Sequence, residues 1–300
     1  MGSSRSTGIV LSELLSSMTA RARTPGTLSV RRQHVFAACA AVLVAVILAG
    51  CSVDKSRVLT DGVTDEVGAA RLARRARAEF DAVPRTTPSV AAAHELMRAA
   101  AQSTTPPDTA RYGYLTDAAR YAIWLMSRSD TLLNSLAEET VVFCNTAIRS
   151  DSSKAAAYYY RAITIGLIAR KDKLKGRSAM RDIRDDCRQA IAIDPALDHG
   201  GPHRVLGALY LRAPGPPAGV GSLRQAISHL EESVAVAPEY PENRLFLAEA
   251  YLEAGRADEA AALLDTVEIQ LSDPSVPADD RSRWLERMSV LREMQAPAAE

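Results

Sequence analysis

One interval constrains this chain more than any other feature. Ser152 in AIRSDSS, Pro195 in AIAIDP and Pro238 in VAVAP close three similar segments, and each lies 43 residues after the one before. Ala147, Ala190 and Ser233 keep the same interval, and so do Ile148, Ile191 and Val234. A constant period over three units marks a tandem array, in which each unit is too small to bury its apolar face and must stack on its neighbours. The clearest copies fall between Gly200 and Val267. There Leu206, Gly207 and Tyr210 are answered by Leu247, Ala248 and Tyr251, and Ala226, Leu230 and Ser233 by Ala260, Leu264 and Val267. On a helix this spacing sets large side chains in one stripe, with a small residue where a second helix comes close.

These residues resemble the tetratricopeptide repeat, a 34-residue unit of two antiparallel helices. The resemblance implies an all-α, tetratricopeptide-like helical-hairpin solenoid of three or four repeats, at about 110–150, 155–197, 202–240 and 243–271. Composition agrees: 47% of residues are hydrophobic but only 5% aromatic, and a core of Ala and Leu suits packed helices better than sheets. Since 43 exceeds 34, extra residues are expected in the turn inside each unit, as ARKDKLKGRS in the second and APGPPAGVGS in the third, against the short AGRADE of the fourth. Ahead of the repeats, Val63–Val83 and Val90–Ala101 read as helices, TTPPD at 104–108 as a stop, and Thr109 to about Arg128 as the first repeat helix. Behind them, Asp279–Gln295 carries Trp284, Leu285, Met288 and Leu291 at helical spacing, a capping helix for the last repeat.

The beginning of the chain reads differently. Arg31 and Arg32 precede an uncharged run from Val35 to Leu48, which ends in Leu48-Ala49-Gly50-Cys51. A basic flank, a 14-residue apolar run and small residues at its exit form an export signal, too short for a confident membrane span. The ending resembles the bacterial lipobox, which implies that Cys51 is acylated and becomes the mature N-terminus; an uncleaved anchor helix is the alternative. Several acyl chains on one residue hold a protein stably at a membrane. The expected division is 1–50 signal segment, 51–108 tether and N-terminal helices, 109–271 repeat domain, and 272–300 capping helix and tail. By analogy with Gram-negative lipoprotein sorting, Ser52 in place of Asp favours the periplasmic face of the outer membrane, or the outer face of the cytoplasmic membrane in a host with no outer one.

Chemistry is mostly excluded. His94-Glu95 lacks the second His of H-E-x-x-H, Gly215–Ser222 lacks the Lys of a phosphate loop, and neither G-x-S-x-G nor C-x-x-C occurs. Five His form no ligand spacing, so neither metal, cofactor nor catalysis is expected. Of 36 basic and 36 acidic residues the first 50 positions hold five Arg and one Glu. Residues 51–300 therefore carry 31 basic against 35 acidic residues, a balance that argues against nucleic acid.

Two groups could bind a ligand or partner. Gly200-Gly201-Pro202-His203-Arg204 is either an anion seat at a helix start, with Tyr210 two turns on, or a tight turn in which Arg204 packs internally. Lys171, Lys173, Lys175 and Arg177 should lie on a rim beside loop 213–221, as a binding surface or as a solvated face. Of Tyr158, Tyr159 and Tyr160, at least one should face the core. Cys144 and Cys187 occupy equivalent places in successive repeats; neighbouring helices lie about 8–10 Å apart, too far for an easy disulfide, so buried thiols are expected.

With its GGPHRVLGALYLRAPG segment, the chain is also similar to the lipoproteins related to the T component of tripartite ATP-independent periplasmic (TRAP) transporters. That resemblance implies work with a periplasmic solute-binding protein and a small, anionic ligand. The other class is a non-catalytic scaffold that holds an envelope protein. Homo-oligomerisation stays open in both.

Overall fold

The computed structural model describes residues 66–103, 108–171 and 176–295. Among them are eleven helices and no strand: α1 (Glu66–Asp81), α2 (Thr87–Gln102), α3 (Asp108–Met126), α4 (Asp130–Ser150), α5 (Ala155–Lys171), α6 (Gly176–Ile193), α7 (Leu197–Arg212), α8 (Leu223–Val236), α9 (Pro241–Glu253), α10 (Ala257–Leu271) and α11 (Ala278–Gln295). No helix among the described residues is long and apolar enough to cross a membrane. The helix starts follow local chemistry. Thr86 caps α2 in a reciprocal pair with Ser89, Ser129 accepts from the Leu132 N–H to cap α4, and Ser222 accepts from Gln225 to cap α8.

The helices stack as antiparallel pairs, α1/α2 through α9/α10, with α11 closing the row. Each second helix packs on its own partner and on the first helix of the next pair, while α3, α5, α7, α9 and α11 also pack in sequence on one another. This arrangement explains two kinds of sequence. The first helices α3, α5, α7 and α9 are buried on most sides because neighbours cover both flanks, whereas α4, α6 and α8 are two-faced because one side meets water. The 43-residue interval reappears as backbone geometry: the N–H groups of Asp151, Asp194 and Ala237 donate to the carbonyls of Ala147, Ala190 and Ser233, and those three residues are fully buried.

The four expected repeats correspond to α3/α4, α5/α6, α7/α8 and α9/α10. The N-terminal helices continue the stack, because α2 packs along α3 and the Phe80 ring stacks on Tyr121 at 4.2 Å. The place of the extra residues needs correcting. In the first repeat only residues 127–129 separate α3 from α4, and in the second α5 runs to Lys171 and α6 begins at Gly176. There the added length is helix, since LIARK and GRSAM are rich in helix-forming residues that extend the facing ends. Only the third repeat keeps a long turn, where Pro214, Pro216 and Pro217 remove the donors a helix needs.

At the far end, α11 lies on α9 and α10 with Trp284 and Leu291 buried. Leu285, expected in the same stripe, is 42% exposed, so the covering face is narrower than the spacing suggests. Cys144 and Cys187 are free, buried thiols. Burial pushes the Cys144 thiol up to about 12 and Cys187 well above its ordinary value, so both are inert core groups. Tyr159 and Tyr160 are buried and Tyr158 is half-buried.

Candidate functional site

Three of the expected site residues, His203, Arg204 and Tyr210, meet on α7. Lys171 closes α5 and Arg177 is the second residue of α6, while Lys173, Lys175 and Cys51 lie outside the described residues. The rim placement has one point of contact. A Cβ built on Gly219 would sit 3.2 Å from the Met180 methyl, so loop 213–221 folds against the first turn of α6.

The turn into α7 is unusual. Asp198, His199 and Gly200 are all left-handed, at φ of 50°, 58° and 74°, and the regular helix starts at Gly201 with Pro202 in its first turn. Left-handed backbone at two non-glycine residues costs roughly 1–2 kcal/mol each. Arg204 offsets it. Its Nη1 donates to the His199 carbonyl at 3.2 Å and to Asn243 Oδ1 at 2.7 Å, and its Nη2 reaches the Asp198 carbonyl and carboxylate. Asn243 Nδ2 donates to the same His199 carbonyl at 2.9 Å and to the Ser233 carbonyl at 2.8 Å. Tyr159 donates to Asp198 Oδ2 at 2.6 Å. Of the two readings of this segment the geometry supports the internal one: the Arg204 side chain is 0% exposed, and its Nη1 and Nη2 groups are engaged by the turn and Asn243. An anion arriving from solvent has no approach to it.

Around Arg204 a larger arrangement spans three first-position helices. Glu242 on α9, fully buried, lies 4.0 Å from Arg204 on α7 and 3.9 Å from Arg283 on α11, whose Nη1 is 3.2 Å from Asp280. Burial raises the Glu242 carboxyl above its ordinary value, against the pull of Arg283 and Arg204. A second tier repeats the order: Glu249 on α9 takes both oxygens to Arg212 Nη2 on α7, at 2.5 and 2.6 Å, and also pairs with Arg287 on α11. Four arginines and four carboxylates, counting Asp198, thus lie between α7, α9 and α11.

Aromatic rings line the tiers. Arg204 sits over Tyr240, Arg212 and Arg287 over Phe246, and Arg283 over Trp284, at 4.0–5.5 Å from the ring centres. Several donors still lack a hydrogen-bond partner, including Nε and Nη1 of Arg212 and Nε of Arg287. Burial, with Arg287 alongside, lowers the Arg212 guanidinium to about 10 in spite of Glu249.

Sequence reasoning missed Asp198, Glu242, Asn243, Glu249, Arg283 and Arg287. A signal existed, since Glu242 and Glu249 stand seven residues apart on α9, which puts them on one face. A second feature is apolar: Ile168, Leu211 and Leu252, each in the last turn of α5, α7 or α9, are only partly buried against the core.

Comparison with known proteins agrees with this geometry. Residues 219–276 match the tetratricopeptide repeat family model. A thermophilic TPR protein of Thermus thermophilus superposes with a TM-score of 0.55 over 74% of this chain and 99% of its own, at 20% identity. MamA has a TM-score of 0.43, 14% identity, and coverage of 77% of this chain and 98% of its own. No curated protein matches the sequence. The molecule is an all-α, tetratricopeptide-like helical-hairpin solenoid.

Proposed function

We propose that this protein is a non-catalytic lipoprotein of the bacterial envelope, anchored through acylated Cys51, that holds a partner protein on its repeat surface. One observation carries the surface: Ile168, Leu211 and Leu252 stay partly open at matching places on the first helices of three successive repeats, and a row of apolar side chains at repeat spacing suits an extended or helical segment of another protein. The anchor rests on the Leu-Ala-Gly-Cys sequence. Crosslinking pull-down from membranes tests both parts. A discrete envelope partner should be recovered with the native chain and lost with Leu211→Asp/Leu252→Asp, while Cys51→Ser should release the chain from the membrane fraction. Recovery of the same partner by the double variant overturns the surface, and a full-length chain free in cytosol overturns the anchor.

A second reading, an accessory lipoprotein of a TRAP-type uptake system that works with a periplasmic solute-binding protein, is favoured by the unpaired donors of Arg212 and Arg287. It predicts that the partner is a solute-binding protein and that a small carboxylate bound by the native chain is lost in Arg287→Gln.

A further inference from the structure

We propose that His203 and His229 form a two-imidazole site for a divalent transition-metal ion such as Zn2+. In sequence the two lie 26 residues apart on different helices, but the α7/α8 hairpin brings their Nδ1 atoms to 3.2 Å, with ring centres 5.3 Å apart and planes at 45°. Two imidazole nitrogens on one zinc, each about 2.0–2.1 Å from it in a tetrahedral shell, stand about 3.3 Å apart. The pair is therefore set at a chelating distance before any ion arrives.

The surroundings fix the ring planes: Tyr210 stacks on His229 at 5.7 Å, and Arg188 Nη2 donates to the Tyr210 hydroxyl at 3.1 Å.

The protons balance without an acid or base being consumed. In the metal-free pair one Nδ1 carries a hydrogen and donates it to the other. When the ion binds, that proton moves through solvent to Nε2 of the same ring, both Nδ1 lone pairs turn to the metal, and two of its waters leave. Neither Nε2 is a buried unpaired atom, in contrast with His94, whose Nε2 is.

No group of three or more His, Cys, Asp or Glu among the described residues is placed to hold a metal. Water therefore completes the shell. The ion would staple α7 to α8 in the one repeat whose helices are separated by a long loop. This inference is independent of the partner-binding role.

Zn2+ titration calorimetry on the full chain, free of any polyhistidine tag, tests it. The expected result is one Zn2+ per chain that is weakened roughly tenfold or more in His229→Gln, at unchanged helicity by circular dichroism. Equal Zn2+ binding by native and variant chains, or none by the native chain, overturns the site. Should His229→Gln fail to fold, the paramagnetic resonance spectrum of Cu2+ on the native chain decides: two coupled imidazole nitrogens support the site, and one or none overturns it.

Discussion

The two ends of the stack solve the same packing problem with different materials. From α1 to α4 the interior is apolar and rich in alanine and aromatic rings: Ala73, Ala76, Ala93 and Ala100 are fully buried, Phe80 lies flat on Tyr121, and the Arg77–Asp117 pair sits near the surface with Arg77 46% exposed. From α7 to α11 the helices enclose two Arg–Glu–Arg tiers, and Arg204 and Glu242 have no solvent exposure at all. Apolar packing is non-directional and tolerates small slips. A buried charge tier does not, because rotating α9 by one residue turns Glu242 about 100° away from both arginines. The repeat thus determines how helices stack, while the C-terminal charges determine which neighbours fit.

The largest expected effect breaks that contrast directly. Arg204→Ala removes the cation beside Asp198 and Glu242 and loosens the left-handed turn, and should destabilise by about 3–5 kcal/mol in urea unfolding. Arg77→Ala, which breaks a half-exposed pair, should cost less than about 1 kcal/mol. Equal costs would mean that the tiers are no more than decoration.

Next comes acid. His94, on the alanine-rich side, is pushed down from 6.5 to about 4, by burial first and Arg98 second, against Glu95. The folded chain therefore takes up fewer protons than the unfolded chain between those values, so stability is full above pH 6.5 and falls as pH drops toward 4. A displacement of that size is worth up to about 3 kcal/mol. His229, lowered in the same direction, adds to the same window from the other half. Urea midpoints against pH should flatten in His94→Gln; an unchanged slope would assign the acid sensitivity to the C-terminal half.

The smallest effect compares two glycines. A Cβ on Gly207 would meet Leu230 Cγ at 2.6 Å where α7 and α8 touch, so Gly207→Ala should cost about 1–3 kcal/mol. A Cβ on Gly113 in α3 meets only Arg77 Nη2 at 3.9 Å, so Gly113→Ala should add roughly 0.5–1 kcal/mol. Thermal melts of both variants measure the sharpness of packing at each end.

Much of the fold was legible in the residues alone. The small residues Gly207 and Ala248 and the closing positions Ala147, Ala190 and Ser233 are buried where the period places them. The added length was not placed correctly, because a run such as LIARK suits both a helix end and an exposed turn, and only the neighbouring helix decides between them. The site was harder to read. Arg204 stood out in sequence as a cation beside glycines, but whether it faced solvent or a strained turn depended on Asp198 and Asn243, six positions before it and 39 after it. His203 and His229 carried no shared pattern, since their meeting depends on how a ten-residue loop folds back.

By itself the sequence determined the all-helical stack, its period and its order, because burial of an amphipathic face is a local property repeated from unit to unit. Only the tertiary structure decided which charges are enclosed, which histidines touch and which apolar side chains stay open. Those outcomes depend on side chains brought together from separate repeats, and a distance of that kind is written nowhere in the spacing of residues along one helix.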